Sequence, residues 1–440
     1  MNLQTYFLRR SHLILAGLLF ITCFLFLPQT ALAESGANSS IDQGTALLQP
    51  ISTSNLQFRM GGALQTEYRY YVEDERADNR FNIRRAQVEL SGKMHDWLCL
   101  NLEYELKDDV SDRLMDTYAE IRFNSHAARL GHFKKPFGLE QVTEEKALYF
   151  AERSIGYSLV PRRDLGLMFH GVFLNSCISY GIGLFNTEGT ASGASRNEHD
   201  DPAFIGRLVF APFAATSNEL IQSFQFGGSA AYARLNLSDV KLMIKSSGMI
   251  DTNRNIYVLS HNTKFGVLQD VGNRYNYGLE TAWAFKSLAI QGEYIKMALT
   301  NLKPAGQPAK DATFSAWYVS AVFFLSGEKP DYSGHRMTAI RPLHPLNFTT
   351  KHYGALGIGA RVENFSGDKD WINPEANVST EEADALSISL NWIPFHLHKL
   401  ILDFTHASLS DPIKVRVLPD GSINYIDDEN VVTIRYSIDF

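Results

Sequence analysis

Cysteine is scarce in this chain, and long apolar runs are scarcer. Three cysteines in 440 residues are too few for a disulfide framework. Cys23 lies in a stretch expected to be removed, so Cys99 and Cys177 leave room for one bridge at most. Only the fifteen residues from Leu13 to Leu27 form an uninterrupted apolar run, shorter than the ~20 residues of a spanning helix. A bundle of transmembrane helices is thereby excluded. A basic excess is missing as well: 41 Lys and Arg stand against 48 Asp and Glu, a formal charge of −7, which argues against a nucleic-acid partner. The signatures G-x-S-x-G, H-E-x-x-H, G-x-x-x-x-G-K-[ST] and C-x-x-C do not occur, so no enzymatic motif declares itself. No heptad or other short repeat appears, and no Pro/Ser linker divides the chain.

Arg9 and Arg10 precede the apolar run and Ala31-Leu32-Ala33 follows it. A basic start, a short apolar centre and an A-x-A site predict a secretory signal peptide over 1–33, cleaved after Ala33. Its loss takes two basic residues and no acidic ones, so the charge moves from −7 to −9 over the remaining 407 residues. Residues 34–55, rich in Ser, Ala, Gln and Asn, read as a flexible mature N-terminus. Everything from 56 to 440 reads as one architecture.

That architecture is written in period two, on segments about nine to eleven residues long, the length of a tilted transmembrane strand. Val432, Ile434, Tyr436, Ile438 and Phe440 alternate with Thr433, Arg435, Ser437 and Asp439, and successive strand side chains point to opposite faces. The same split separates Leu98, Leu100, Leu102, Tyr104 and Leu106 from Cys99, Asn101, Glu103, Glu105 and Lys107. It separates Ala119, Ile121 and Phe123 from Tyr118, Glu120 and Arg122, and Leu386, Ile388, Leu390 and Trp392 from Ser387, Ser389 and Asn391. Leu400, Leu402 and Phe404 oppose Asp403 and Thr405.

A soluble antiparallel sheet also alternates. Expected export, long apolar faces and aromatics at strand ends favour the membrane, which admits only helices or closed barrels because open edges leave unpaired backbone groups in hydrocarbon. The reading is therefore an all-β, transmembrane antiparallel β-barrel. At roughly 25 residues per strand and connection it has about sixteen strands. The connection between Ser91 and Asp96 is short, whereas Asn186 to Asp201, Ser238 to Asn276 and Gly327 to Tyr353 are long. This pattern predicts short turns at one end and long loops at the other.

In such a barrel, function belongs to the inward set and to any loop that folds inward. Residues 134–163, within the charged stretch from Phe133 to Asp164, are the candidate constriction loop; they carry Glu140, Glu144, Glu145, Lys146, Glu152 and Arg153. A solvated surface loop is the plainer alternative. Arg59 shares the polar parity with Gln57, Gln65 and Glu67, and Arg85 shares it with Gln87 and Glu89, so both should point into water. Arg84 has the opposite parity and would face lipid, at about 2–4 kcal/mol at the midplane, unless a bulge or an interfacial position relieves it. Each arginine could equally serve a cross-strand ion pair that stiffens the wall. Gly354, Gly357 and Gly359 mark a bend or close packing in a strand, and His396 and His398 lack a third partner for a metal.

Several segments resemble the phosphate-selective porins, the O and P type, of Gram-negative outer membranes. They are Phe58-Arg59-Met60-Gly61-Gly62, Ile83 to Gly92, Leu130 to Glu140, Glu152-Arg153, Gly357 to Phe365 and Asn391-Trp392 to Phe404. The stretch from about Asn186 to Asp311 is only loosely similar. The resemblance implies a sixteen-stranded homotrimeric porin set among outer-membrane lipid and lipopolysaccharide, each subunit with its own channel, narrowed by the third external loop and lined by cations that pass anions. By position it assigns Arg59, Arg84, Arg85 and Lys146 to the anion path. Glu144 and Glu145 immediately precede Lys146, which departs from a simple phosphate channel. The expected function is passive diffusion of small anions, phosphate or polyphosphate, without cofactor or metal. The alternative is an adhesive or structural barrel with a blocked lumen and partner-binding loops; an outer-membrane enzyme has the least support.

Overall fold

The computed structural model describes residues 51–53, 56–72, 79–107, 113–186, 201–235, 242–245, 255–259, 263–417 and 421–440. The expected signal segment lies outside them, as does most of 34–55, of which Ile51–Thr53 pairs back on Leu56–Phe58.

Sixteen strands make the wall. They are β1 (Leu56–Tyr71), β2 (Arg80–His95), β3 (Leu98–Glu105), β4 (Thr117–Phe123), β5 (His126–Lys134), β6 (Arg163–Phe173), β7 (Ile178–Phe185) and β8 (Ala203–Phe210). The second half comprises β9 (Gln225–Arg234), β10 (Asn273–Phe285), β11 (Leu288–Pro304), β12 (Lys310–Phe324), β13 (Ala355–Ser366), β14 (Glu382–Ile393), β15 (His398–Val417) and β16 (Ile423–Asp439). Each strand pairs antiparallel with the next. The ring closes where β1 meets β16, with Ala63 opposite Asp439 and Tyr71 opposite Val431. The short strand Leu268–Asp270 adds to the end of β11 outside the ring.

The distribution of residues is inverted relative to a soluble protein. On β13, Arg361 and Glu363 are buried while Ile358 and Val362 are exposed; on β14, Ser387, Ser389 and Asn391 are buried while Leu386, Ile388 and Leu390 are exposed. The alternation thus places polar side chains inside and apolar ones toward lipid.

Strand direction assigns the connections to two ends. One end, the turn end, carries Phe440 and the tight connections Asp96-Trp97, Asn124-Ser125 and Lys286-Ser287. Asn124 there adopts φ 56°, a left-handed conformation that asparagine tolerates in tight hairpins. The other end carries residues 135–162 and the described ends of the connections from β7 to β8 and from β9 to β10. One expectation is corrected. The connection 325–354 lies at the turn end, because it follows the downward strand β12, and the loop end in turn contains the five-residue connection 305–309. Length alone does not report the end; only the count of strand reversals does.

The interior is not uniformly polar. Toward the loop end, the hairpin of Leu242–Ile244 with Tyr257–Leu259 lies against inward residues of the wall. Tyr257 meets Phe314 of β12 edge-on at 5.2 Å between ring centroids and Phe365 of β13 at 6.1 Å. Ile295, Met297, Leu299, Ala383, Ala385 and Ala407 join the same buried cluster. Here the alternation is reversed: outward neighbours of these residues such as Lys296, Thr300, Asp384 and His406 are polar, and the apolar face meets an internal core. Cys99 and Cys177 are unpaired thiols.

Ile388 occupies the middle of the outward apolar band of β14, opposite Phe404 and Ala360. Ile388→Arg should destabilise the barrel by about 2–4 kcal/mol, measured by urea titration of refolding into vesicles, whereas Ile388→Leu should shift the midpoint little.

Candidate functional site

The connection between β5 and β6 has almost no hydrogen-bonded structure of its own: one helical turn at Leu139–Val142 and 3₁₀ turns at Glu145–Ala147 and Ile155–Leu159. Much of it is nonetheless buried, so its backbone groups must find partners elsewhere. The polar face of the wall supplies them. Glu293 of β11 accepts the N–H groups of Leu139 and Glu140 at 2.7 and 2.9 Å and is held by the Tyr318 hydroxyl at 2.8 Å. Asp403 of β15 accepts from Ala151 N at 3.1 Å, and Glu363 of β13 from Ile155 N at 2.6 Å. The carbonyls are met by cations and amides. Lys399 donates to Lys146 O at 2.8 Å and to Leu148 O at 2.5 Å, Asn391 to Tyr149 O at 3.0 Å, Arg361 to Glu152 O at 2.9 Å and Asn276 to Leu159 O at 2.8 Å. Strands β10 to β15 thus hold this segment against their inner faces.

Its side chains form a second layer of contacts. The Glu152 carboxylate receives Arg84 from β2 through Nε at 3.0 Å and Nη2 at 3.1 Å, Arg435 from β16 at 2.6 Å, and Arg69 from β1. Glu67 ties Arg69 and Arg435 together, with Nε contacts of 2.8 Å to each. Glu145 is shared by Arg153 at 2.8 Å and Arg85 at 2.9 Å. Burial alone would raise the pKa of Glu145, but Arg153 and Arg85 hold it far below the ordinary carboxylate range. Glu152 is likewise held well down against its burial, by Arg84, Arg435 and Arg69. Glu140 behaves oppositely: burial pushes it up despite Arg361 and Arg153.

Arg84 reaches this cluster through a bulge. Gln65 pairs with Arg85 and Thr66 with Ile83, so the register skips Arg84. The extra residue turns both arginines inward, which resolves the lipid-facing parity that the sequence pattern predicts. Lys146 bonds Glu144 at 2.9 Å; burial would lower its pKa, and Glu144 raises it. Arg59 keeps the inward parity and is exposed, opposite Ser91. It lies six positions along the strand from Gln65, about 20 Å, so it stands apart from Arg84 and Arg85.

Sequence reasoning missed Arg69, Arg361, Lys399 and Arg435 as partners of the segment. A signal existed in the inward parity of charges on strands of the second half, such as Arg361 with Glu363. Arg336, within the connection 325–354, was also missed. It bonds Glu144 at 3.0 Å, and Tyr149 donates to Thr338 O at 3.5 Å, so segments from the two ends meet inside the barrel. Coverage of the wall is one-sided. Inward residues Glu89, Lys93 and Arg122 on β2 and β4 are exposed, while Ser387, Ser389, Asn391, Arg361 and Glu363 on β13 and β14 are at most 2% exposed.

Residues 58–440 match the phosphate-selective porin O and P family. The chain belongs to that family. As a member of it, the chain is an outer-membrane porin-type barrel. It is 23% identical over 376 residues to an uncharacterized protein of Caulobacter vibrioides, covering 81% of this chain and 68% of that one. Its fold is similar to that of an anion-selective porin from Comamonas acidovorans, with TM-score 0.51, 10% identity and coverage of 88% and 100% of the two chains. The outer-membrane channel DcaP of Acinetobacter baumannii gives TM-score 0.51, 10% identity and coverage of 88% and 99%. OmpT of Vibrio cholerae in trimer form gives 0.50, 11%, and 88% and 100%. At these identities the structures share a fold with the porin described here.

Two outcomes follow from the docking. A carboxylate whose folded pKa is depressed contributes stability above its unfolded value, about 4.3, and loses it as pH falls through the folded value. Hydrogen exchange of residues 139–160 should therefore stay slow at pH 5 and accelerate only below about pH 4. Lys399→Met should leave the carbonyls of Lys146 and Leu148 unpaired, costing about 1.5–3 kcal/mol for each charged bond, and should raise exchange and protease cutting near residue 148 without unfolding the wall.

Proposed function

We propose that the barrel is a passive channel for small anions, phosphate and polyphosphate among them, and that residues 134–163 form its constriction. Water and ions run along the uncovered wall, past Arg59, Lys93 and Arg122 on one side and the docked segment on the other. The observation that carries this reading is the sharing of Glu144. Two cations, Lys146 at 34% and Arg336 at 48% side-chain exposure, share one carboxylate at 42%, with Asp439 and Glu89 the next acidic neighbours of Lys146, so both cations stay within reach of a passing anion at the exposed lip of the segment. A fixed charge at a narrowing attracts ions of opposite sign.

The wider setting supports the same reading. Family membership makes a channel the natural use of the fold and phosphate a natural solute, and an outer-membrane homotrimer in contact with lipid and lipopolysaccharide suits the exposed apolar band. Residues 1–33 would be the cleaved export signal. No catalytic step is invoked: Arg59 and Lys146 act on passing ions through charge, whereas Arg84 and Arg85 are paired with Glu152 and Glu145. The internal apolar cluster around Tyr257 favours a second reading, a barrel blocked by its own loops that serves adhesion.

Planar-bilayer recordings separate the two. A chloride current with an anion-selective reversal potential in a salt gradient is expected; absence of current would favour the blocked barrel. Lys146→Ala removes one charge about 6 Å from a passing ion, about 0.7 kcal/mol in water, and should lower the anion-to-cation permeability ratio about threefold. An unchanged ratio would remove Lys146 from the path.

A further inference from the structure

Of the candidates Arg59, Arg84, Arg85 and Lys146, only Arg84 joins a cluster of three guanidiniums, with Arg69 and Arg435, and that cluster already holds a carboxylate of the chain itself. We propose that Arg69, Arg84 and Arg435 form an oxyanion-binding site that Glu152 occupies as a tethered resident ligand. The reading rests on the channel function proposed above only in making phosphate the incoming anion; the site itself is defined by geometry.

Three strands, β1, β2 and β16, each contribute one guanidinium, and all three converge on the two oxygens of Glu152. Arg84 approaches with its fork, Nε to one oxygen and Nη2 to the other, the bidentate geometry that suits carboxylate and phosphate alike. A bulge in β2 aims Arg84 here. Glu67 bridges Arg69 and Arg435 and orients them. Glu152 also lines a small cavity shared with Glu140, Tyr149, Phe150 and Arg361.

A tethered ligand competes at an effective concentration on the order of millimolar or above. Free phosphate reaching the arginines must displace Glu152 first, so the intact protein should bind it weakly. Phosphate entering takes over the guanidinium hydrogen bonds, and the Glu152 carboxylate leaves still charged; no covalent bond changes.

The test is calorimetric titration of inorganic phosphate into the detergent-solubilised full-length protein. Glu152→Gln should bind phosphate at least tenfold more tightly than the parent protein, and adding Arg84→Gln in that background should remove most of the gain. Glu152→Asp, which keeps the charge but withdraws it by one methylene, should fall between the two and serves if Glu152→Gln fails to fold. Equal affinity in parent and variant, or a gain that survives Arg84→Gln, overturns the proposal. Chloride conductance is read separately on the parent protein. Its absence would count against the channel reading, whereas tight phosphate binding by the variant would still stand as evidence for the site.

Discussion

Closure of β1 onto β16 is the constraint from which the other features follow. In hydrocarbon every wall N–H and C=O must be paired within the protein, and only a complete ring does this for all sixteen strands. Once the ring exists, alternation sorts the side chains without further instruction: leucines and isoleucines outward, arginines and glutamates inward. The polar interior is then a geometric by-product of closure, available for any use that charged side chains can serve.

The first use is to solve a second problem of the same kind. Residues 135–162 have little ladder of their own, yet they lie buried beside strands whose backbone groups are already committed. Only side chains can pair them. Glu293, Asp403 and Glu363 accept their N–H groups, and Lys399, Asn391, Arg361 and Asn276 meet their carbonyls. Buried charges are costly unless each is fully bonded, and this demand fixes the path of the segment more tightly than apolar packing would. A wall of small apolar residues could cover the same surface in many ways, whereas these donors and acceptors admit one.

Legibility from sequence followed the same division. Closure and alternation depend on period two, which every copy of the pattern repeats, so the strand type, the approximate count and the inward parity of Arg59 and Arg85 could be read directly. Arg84 could not be settled, because a bulge changes parity by one residue and leaves composition untouched; only the pairing of Gln65 with Arg85 and Thr66 with Ile83 reveals it. The end to which 325–354 belongs depends on counting every strand before it, and one missed reversal inverts the answer. The internal cluster of Ile295, Met297 and Leu299 was hidden for a different reason. There the alternation persists with its polarity reversed, Ile295, Met297 and Leu299 inward against Lys296 and Thr300 outward, so the pattern looks like a strand packed on a soluble core. The partners of the docked segment are long-range in sequence, Glu152 with Arg435 above all, and no local spacing announces them.

Pairing also decides what the interior charges can do at a distance. A lone cation about 6 Å away acts on an ion in water with about 0.7 kcal/mol, but a guanidinium bonded to a carboxylate presents a dipole, whose effect falls off faster. Arg69, Arg85, Arg361 and Arg435 are bonded to carboxylates, and so they contribute structure more than long-range field. On the proposed channel reading, selectivity would reside where the pairing is unequal. Glu144 between Lys146 and Arg336 is such a place, and it is formed by two segments that enter from opposite ends of the barrel. The arginine inventory of the wall, which the family resemblance draws attention to, is thus a poor guide to ion preference: the balance of charge at the exposed lip outweighs the number of cations behind it.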